Sequence, residues 1–159
     1  MDATKCASVD EAITAVKKTL ELDQNFPRAH NYLGYIYAAK GLYGEAIAAY
    51  QETIRLGEQS PSIQIYLGAA YARSGESEKA QVILKRLQTT KEYVSPGELA
   101  ILYGSLGDKE RAFASLEKAY AMHDLQLQYL GVDPAFDPLR SDRRFADLMR
   151  RVGLTPQPV

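Results

Sequence analysis

Apolar positions in this chain follow a helical spacing, and the pattern itself repeats. In each of three segments a Leu precedes a Tyr by four residues, and a Gly and then an Ala follow. The three sets are Leu33, Tyr37, Gly41 and Ala46; Leu67, Tyr71, Gly75 and Ala80; and Leu99, Tyr103, Gly107 and Ala112. The tyrosines are 34 and 32 positions apart, and so are the glycines. This period indicates a chain built from repeated units.

Each unit is predicted to form two helices. Residues four apart share one face of a helix, so Leu33 and Tyr37 are expected on the same side. Glycine accepts the left-handed backbone that follows a helix, which predicts helix ends at Gly41, Gly75 and Gly107. Apolar residues return at helical spacing after each glycine. A helix–turn–helix of this size can bury its apolar face only by stacking on its neighbours.

Proline and small residues refine this prediction. Pro27 and Pro61 fit the first position of a helix, and residues 95–98, Ser-Pro-Gly-Glu, fit a capping box with proline at that position. Ala46 and Ala80 are expected to lie buried where helices cross, because a small side chain permits close approach.

The first unit resembles the tetratricopeptide repeat, whose motif is W-x2-L-G-x2-Y…A-x3-F. The matching residues are Leu33, Gly34, Tyr37, Ala46 and Tyr50, with His30 in the Trp place. The second unit matches at Leu67, Gly68, Tyr71 and Ala80, with Leu84 in the Phe place, and the third has Ala100 for the second Gly. The resemblance covers about residues 9–122. It implies an all-α fold, a right-handed α-solenoid of helix–turn–helix repeats with a C-terminal capping helix.

The repeats divide the chain into five parts. Residues 1–26 hold an N-terminal segment and the trailing helix of a truncated repeat. Three repeats follow, the third with a junction that is two residues shorter. Their bounds are 27–60, 61–94 and 95–123, and a capping segment and tail occupy 124–159.

The N-terminal part is predicted to be half a repeat. Residues 9–22 read as a trailing helix with Ala12, Ile13, Val16 and Leu20 on one face, and Met1 to Ser8 are too few for a leading helix. Two explanations stay open. The chain is the C-terminal part of a longer protein, or its uncovered apolar face recruits a second copy.

The C-terminal part breaks the period. Two Asp-Pro turns are expected to present Phe136 and Leu139, and a last helix is predicted over 142–152, with Ser141 as N-cap and Gly153 as its end. The run 132–142 also resembles the tail that closes tetratricopeptide regions in bacterial multidomain signalling proteins. That resemblance implies a bacterial regulatory parent protein. A cytoplasmic location is also expected.

Composition argues against several classes of function. Nineteen Lys and Arg against 20 Asp and Glu give no global field for nucleic acid or anionic membrane, and no apolar run approaches the length that spans a bilayer. Cys6 with His30 and His123 is too small a set for a metal site, and no catalytic constellation emerges. We therefore expect no enzyme and no cofactor. The basic cluster of the last helix, residues 140–151, is interpreted as a solvated cap face.

What remains is the groove lined by the leading helices. Helical phase assigns to it Arg28, Asn31, Tyr35, Ala38, Ile65, Ala69, Ala72, Arg73, Ile101 and Ser105. Only Asn31 resembles the set that grips a C-terminal carboxylate, so a carboxylate clamp is not expected. The groove suits a protein or peptide ligand, extended or helical, with Tyr35 and Arg73 as anchors. One alternative is that residues 124–139 or a second copy fill it; a homodimer formed through the N-terminal helix is the alternative function.

Overall fold

The computed structural model describes the chain from residue 3 to residue 154, and its side chains from residue 9 onward. Cys6 therefore lies outside the residues whose side chains are described. Within this part the fold is an all-α repeat solenoid. Its helices are α1 (Ala3–Leu22), α2 (Pro27–Ala39), α3 (Tyr43–Arg55), α4 (Pro61–Ser74), α5 (Ser77–Thr89), α6 (Pro96–Ser105), α7 (Lys109–Ala121), α8 (Asp137–Arg140) and α9 (Arg143–Val152). Two 3-10 turns, Leu125–Tyr129 and Pro134–Phe136, lie between α7 and α8.

The helices form three hairpins that stack. Helix α2 packs on α3, α4 on α5, and α6 on α7, and the hairpins are joined by packing of α3 on α4 and of α4 on α6. The leading helices α2, α4 and α6 thus share one side of the solenoid. We call their side turned away from the trailing helices the inner face.

Glycine ends the leading helices, as predicted. The φ angles of Gly41, Gly75 and Gly107 are 76°, 94° and 80°, all in the left-handed region. The Gly75 N–H donates to the carbonyl of Ala72, which satisfies an acceptor left over at the helix end.

The helix starts follow the prediction in part. Proline occupies the first turn of α2, α4 and α6, and the Ser95 hydroxyl accepts a hydrogen bond from the Glu98 N–H at 3.1 Å. The second half of the expected capping box is missing. The Glu98 carboxylate instead accepts from the Ser62 hydroxyl at 2.7 Å, because Glu98 faces α4 and not its own helix start.

Small residues allow the close packing of the hairpins. Ala46 and Ala80 are fully buried, as predicted. Gly34 is a tighter case, because a Cβ atom at this position would lie 2.6 Å from Cε1 of the Tyr50 ring. The phenol of Tyr50 therefore rests directly on the backbone of α2.

Helix α1 is longer than the prediction from residue 9. It begins at Ala3 and packs mainly on α2, and Asp10 accepts a hydrogen bond from Lys40 at 2.6 Å. None of its side chains from residue 9 onward is buried; Ala12, Ile13, Val16 and Leu20 are each half-covered.

The segment 124–142, which we call the tail, turns back over the inner face. It contacts α6 through both 3-10 turns and α8, and it reaches α2 through the second turn. Leu127, Leu130, Phe136 and Leu139 are buried in this contact. The two Asp-Pro turns therefore direct Phe136 and Leu139 into the core.

The last helix docks on α7 through its arginines. Arg144 and Arg151 pair with Glu110 and Glu117 at 3.0 and 2.7 Å, and their guanidinium groups lie 4.1 and 4.3 Å from the ring centroids of Phe113 and Tyr120. Much of the basic cluster is thus an intramolecular contact.

The prediction that Ser141 is the N-cap of α9 is wrong. Asp142 caps α9 by accepting from the Arg144 N–H at 3.0 Å. The reason is conformational: Asp142 has the extended backbone that an N-cap requires, whereas Ser141 is still helical and ends α8.

Replacing Gly75 by Ala tests the helix-end geometry. The added Cβ meets nothing within 4 Å, so only the positive φ opposes it, and we expect a loss of about 1 kcal/mol in the free energy of unfolding. Gly44→Ala is the matched control, because Gly44 lies in α3, has equal space and has no positive φ. It should be neutral or stabilising in urea denaturation. Equal effects of the two changes contradict the helix-end role.

Candidate functional site

Fewer of the predicted groove residues are accessible on the inner face than the sequence indicates. Ile65 and Ile101 are 0% and 1% exposed, so their assignment as ligand contacts is wrong. Because α4 packs on α6 and the tail lies over α6, these side chains belong to the core.

The tail fills the middle of the inner face. Pro134 and Ala135 lie against the predicted groove residues Ala38, Ala69, Arg73 and Ser105, and the cavity that remains is about 30 Å³. The Arg73 Nη1 donates to the Pro134 carbonyl at 3.4 Å, and its guanidinium lies 5.1 Å from the Tyr43 ring centroid. Arg73 therefore holds the tail instead of standing open to a ligand.

A larger cleft opens towards the N-terminal side, between α2, α4 and the first 3-10 turn. Its volume is about 260 Å³. We call it the tyrosine cleft. Its lining residues are Asn31, Tyr32, Tyr35, Tyr50, Ser62, Tyr66, Gln126, Tyr129 and Asp133. Of the predicted groove residues, Asn31 and Tyr35 lie here; Arg28 is exposed one turn earlier on α2, and Ala72 is half-buried on α4.

Three phenol rings form the wall of the tyrosine cleft. Tyr35 meets Tyr66 edge-on, with ring centroids 6.1 Å apart and an interplanar angle of 76°. Tyr50 stacks on Tyr66 at 6.4 Å and 29°. Burial raises the pKa of all three hydroxyls well above the usual value, so each remains protonated and can donate a hydrogen bond.

Asp133 supplies the buried charge of the cleft. It is 4% exposed; one carboxylate oxygen accepts from the Ala135 N–H at 2.8 Å and the other from the Tyr66 hydroxyl at 3.4 Å. Burial raises the pKa of Asp133, and the hydrogen bonds from Ala135, Tyr35 and Tyr66 together with the charge of Arg140 act against that rise.

Two further carboxylates lie near Asp133. Burial raises the pKa of Glu98, and the charges of Asp124 and Asp133 add to the rise. Asp124 binds the tail to the start of α6, since it accepts from the Ser95 hydroxyl at 2.7 Å, the Gly97 N–H at 3.2 Å and the Gln126 N–H at 2.9 Å. This part of the inner face is therefore acidic.

Tyr50 is the least expected member of the site. The motif assigns it to helix packing, and its ring is 1% exposed. Tyr50 is nevertheless among the residues that line the cleft, and its buried hydroxyl has no hydrogen-bond partner among the described residues. A buried hydroxyl without a partner is costly in a folded protein, so Tyr50 contributes an unsatisfied polar atom beside the cleft.

Besides Tyr50, six lining residues were not predicted from the sequence: Tyr32, Ser62, Tyr66, Gln126, Tyr129 and Asp133. Tyr66 is adjacent to the predicted Ile65, so that assignment was off by one position. Gln126, Tyr129 and Asp133 lie on the tail, which has no period from which a position could be read. The excess of tyrosine was the one available signal, with 11 in the chain and no tryptophan.

Other chemistry is sparse in residues 9–154. No group of three or more His, Cys, Asp and Glu side chains there is arranged to hold a metal ion. A ring nitrogen of His30 lies 2.9 Å from the Gln24 carbonyl, and His123 is exposed with a φ of 53°. In the same described part, no helix combines the length and apolar character needed to cross a bilayer.

Comparison with known families now identifies the repeats. Residues 8–61 and residues 97–122 each match a family model described as tetratricopeptide repeat. The chain carries tetratricopeptide repeats. Their helices α2 and α3, and α6 and α7, are the hairpins described above.

A solved structure shares the overall fold of this chain. The crystal structure of MamA superimposes with a TM-score of 0.56 and 21% sequence identity, over 96% of this chain and 98% of that chain. At this identity the likeness concerns the fold alone. No curated protein matches the chain by sequence.

The half-buried Glu98 predicts a pH effect on stability. Its folded-state pKa lies above the usual 4.5, so stability present below that value is lost as pH rises through the folded-state pKa. In Glu98→Gln the side-chain amide oxygen can still accept from the Ser62 hydroxyl. Because glutamine does not ionise, the variant does not lose this stability as pH rises. The difference in Tm, variant minus wild type, should increase between about pH 4 and about pH 7. The exposed Glu78→Gln is the control and should follow the wild type; a Glu98→Gln difference that falls with pH contradicts the assignment.

Proposed function

We propose that the chain is a non-catalytic protein–protein interaction module that receives a peptide or helix of its partner at the tyrosine cleft. Tetratricopeptide repeats support a protein-binding role. The tail already fills the middle of the groove, and this supports the tyrosine cleft as the place where a partner segment would bind. The occupied groove also makes the docking surface rigid, which limits the entropy lost on binding.

Exposed aromatic residues at the mouth of the cleft carry this proposal. Tyr32, Tyr35 and Tyr129 are 57%, 38% and 47% exposed, although all three line a concave surface. Tyrosine is enriched among the residues that dominate protein–protein binding energy. A partner segment would cover these rings and bury their apolar faces.

The resemblance of residues 132–142 to tails in bacterial signalling proteins supports a wider setting. In that setting the chain is part of a larger regulatory protein in the cytoplasm. The repeats then recruit a partner to a catalytic or DNA-binding unit elsewhere in the same protein.

Removing the rings at the mouth tests the cleft. Tyr32→Ala and Tyr35→Ala should each weaken partner binding by about 2 kcal/mol, roughly 30-fold, because each removes an exposed aromatic anchor. Affinity capture from the native cells with quantitative mass spectrometry identifies the partner, and titration calorimetry measures its affinity.

Matched controls keep the test specific. Tyr93→Ala removes a 68% exposed tyrosine between α5 and α6, and Val82→Ala removes an equally exposed side chain on α5. Both controls should bind like the wild type. If wild type, Tyr32→Ala and Tyr35→Ala bind the partner equally and circular dichroism shows all three folded, the proposed binding site is wrong.

Self-association through α1 is the second candidate function. Its apolar residues Ile13, Val16 and Leu20 are only half-covered by α2, which leaves one side of the helix open. A second copy would cover that side. In multi-angle light scattering the mass should rise with concentration, and Ile13→Glu should abolish the rise. A constant monomer mass at every concentration rules out this function.

A further inference from the structure

Building on the function proposed above, we infer that the tyrosine cleft binds a cationic side chain of the partner, an arginine or a lysine. The cleft combines aromatic faces, a buried carboxylate and a hydroxyl that has no partner. Each of these features is satisfied by a guanidinium or ammonium group, and together they select a cation over a neutral or an anionic group.

The aromatic walls attract positive charge. The faces of Tyr35 and Tyr66 carry negative quadrupole density, and cations bind to such faces more strongly when water is excluded. Tyr66 is contacted edge-on by Tyr35 at 76° and is stacked by Tyr50 at 29°, so the more exposed Tyr35 ring provides the accessible aromatic surface of this wall. Tyr32 and Tyr129 lie at the mouth, where they can cover the aliphatic stem of a long side chain.

The carboxylate of Asp133 gives the cleft a negative charge. A buried carboxylate is costly unless a positive group compensates it. Arg140 is the cation nearest along the tail, but its Nε donates to Asp137 at 2.7 Å and its Nη2 to the backbone carbonyl of Asp133 at 3.0 Å. Its guanidinium also lies 5.5 Å from the Phe145 ring centroid, and its charge lowers the pKa of Asp133, but its hydrogen bonds go to Asp137 and to the Asp133 backbone and not to the Asp133 carboxylate.

The orphan hydroxyl of Tyr50 is the independent observation. The ring is held against the backbone of Gly34, 2.6 Å from where a Cβ would lie, so the hydroxyl cannot retreat from the cleft. Tyr50 lines the same cleft as Asp133, and its buried hydroxyl has no partner among the described residues. An N–H of an incoming guanidinium or ammonium group would be a donor to this oxygen.

The same charges exclude an anionic ligand. A C-terminal carboxylate or an acidic side chain would enter beside Asp133 and close to Glu98, with like-charge repulsion in a partly buried space. This agrees with the absence of the Lys partners that a carboxylate clamp needs among the groove residues predicted from the sequence.

Small probes test the cleft without the partner. N-acetyl-arginine amide, N-acetyl-lysine amide and N-acetyl-citrulline amide are titrated separately into the whole chain and followed by ¹H–¹⁵N NMR. We expect at least one cationic probe to shift the amide signals of Tyr35, Tyr66 and Asp133, and the neutral citrulline probe to leave them unchanged. The tighter cationic probe identifies the partner side chain. No shift with either cation, or equal shifts with citrulline, overturns the inference.

Two variants assign the binding to named groups. Asp133→Asn keeps an acceptor for the Ala135 N–H but removes the charge, and it should weaken cation binding about tenfold or more. Asp147→Asn on α9 makes the same change of net charge away from the cleft and should bind like the wild type. Equal weakening by both variants would mean non-specific charge attraction and would overturn the assignment.

Tyr50→Phe keeps the inference testable if Asp133→Asn does not fold. Removing an unpartnered hydroxyl should leave Tm equal or higher while the cationic probe binds less tightly. Unchanged probe binding contradicts the role of the hydroxyl. If neither cationic probe binds but Tyr32→Ala and Tyr35→Ala still weaken partner binding, the inference of a cationic ligand is wrong and the proposed function stands. If the probes bind but these two variants bind the partner like the wild type, the proposed function is wrong.

Discussion

The contact between the tail and helix α6 is the constraint on which the inner face depends. Glycine occupies two of the points where the tail meets α6: a Cβ at Gly97 would lie 2.7 Å from Cβ of Gln126, and one at Gly104 would lie 3.1 Å from Leu139. Without side chains at these points, the tail approaches the helix backbone and buries Leu139 and Phe136 completely. The apolar side of the third repeat is thereby covered by the chain itself, as a terminal repeat requires.

The repeats could be predicted because their physics is local and periodic. Leucine and tyrosine four apart, followed by a glycine with positive φ, specify a helix and its end within about ten residues, and the same pattern occurs three times. The tail has no such period. Its path is decided by which helices offer glycine for close approach, and Gly97 and Gly104 read in the sequence as ordinary helix-start and helix-end residues. The sequence analysis therefore kept open whether the tail fills the groove.

The candidate site shows the same limit at the level of single residues. Asn31 and Tyr35 were predicted because they lie on one helix whose phase is fixed by Leu33 and Tyr37. Asp133 could not be predicted in the same way. Its place in the cleft depends on a contact with Tyr66, which lies 67 residues earlier in the chain. Helical phase also cannot show that a motif residue such as Tyr50 has an unsatisfied hydroxyl, since only the three-dimensional neighbourhood decides that.

Docking of the tail and binding at the tyrosine cleft use the same carboxylate. One oxygen of Asp133 fixes the second 3-10 turn through the Ala135 N–H, while the other faces Tyr66 and the cleft. A ligand that compensates the charge of Asp133 lowers the cost of burying it, and burial of Asp133 is part of seating the tail on α6 and α2. By linkage, a group that binds only when the tail is docked must also stabilise the docked tail. Under the proposed function, partner binding and docking of the tail would be one equilibrium, and the cap of the solenoid would also be a wall of the proposed binding site.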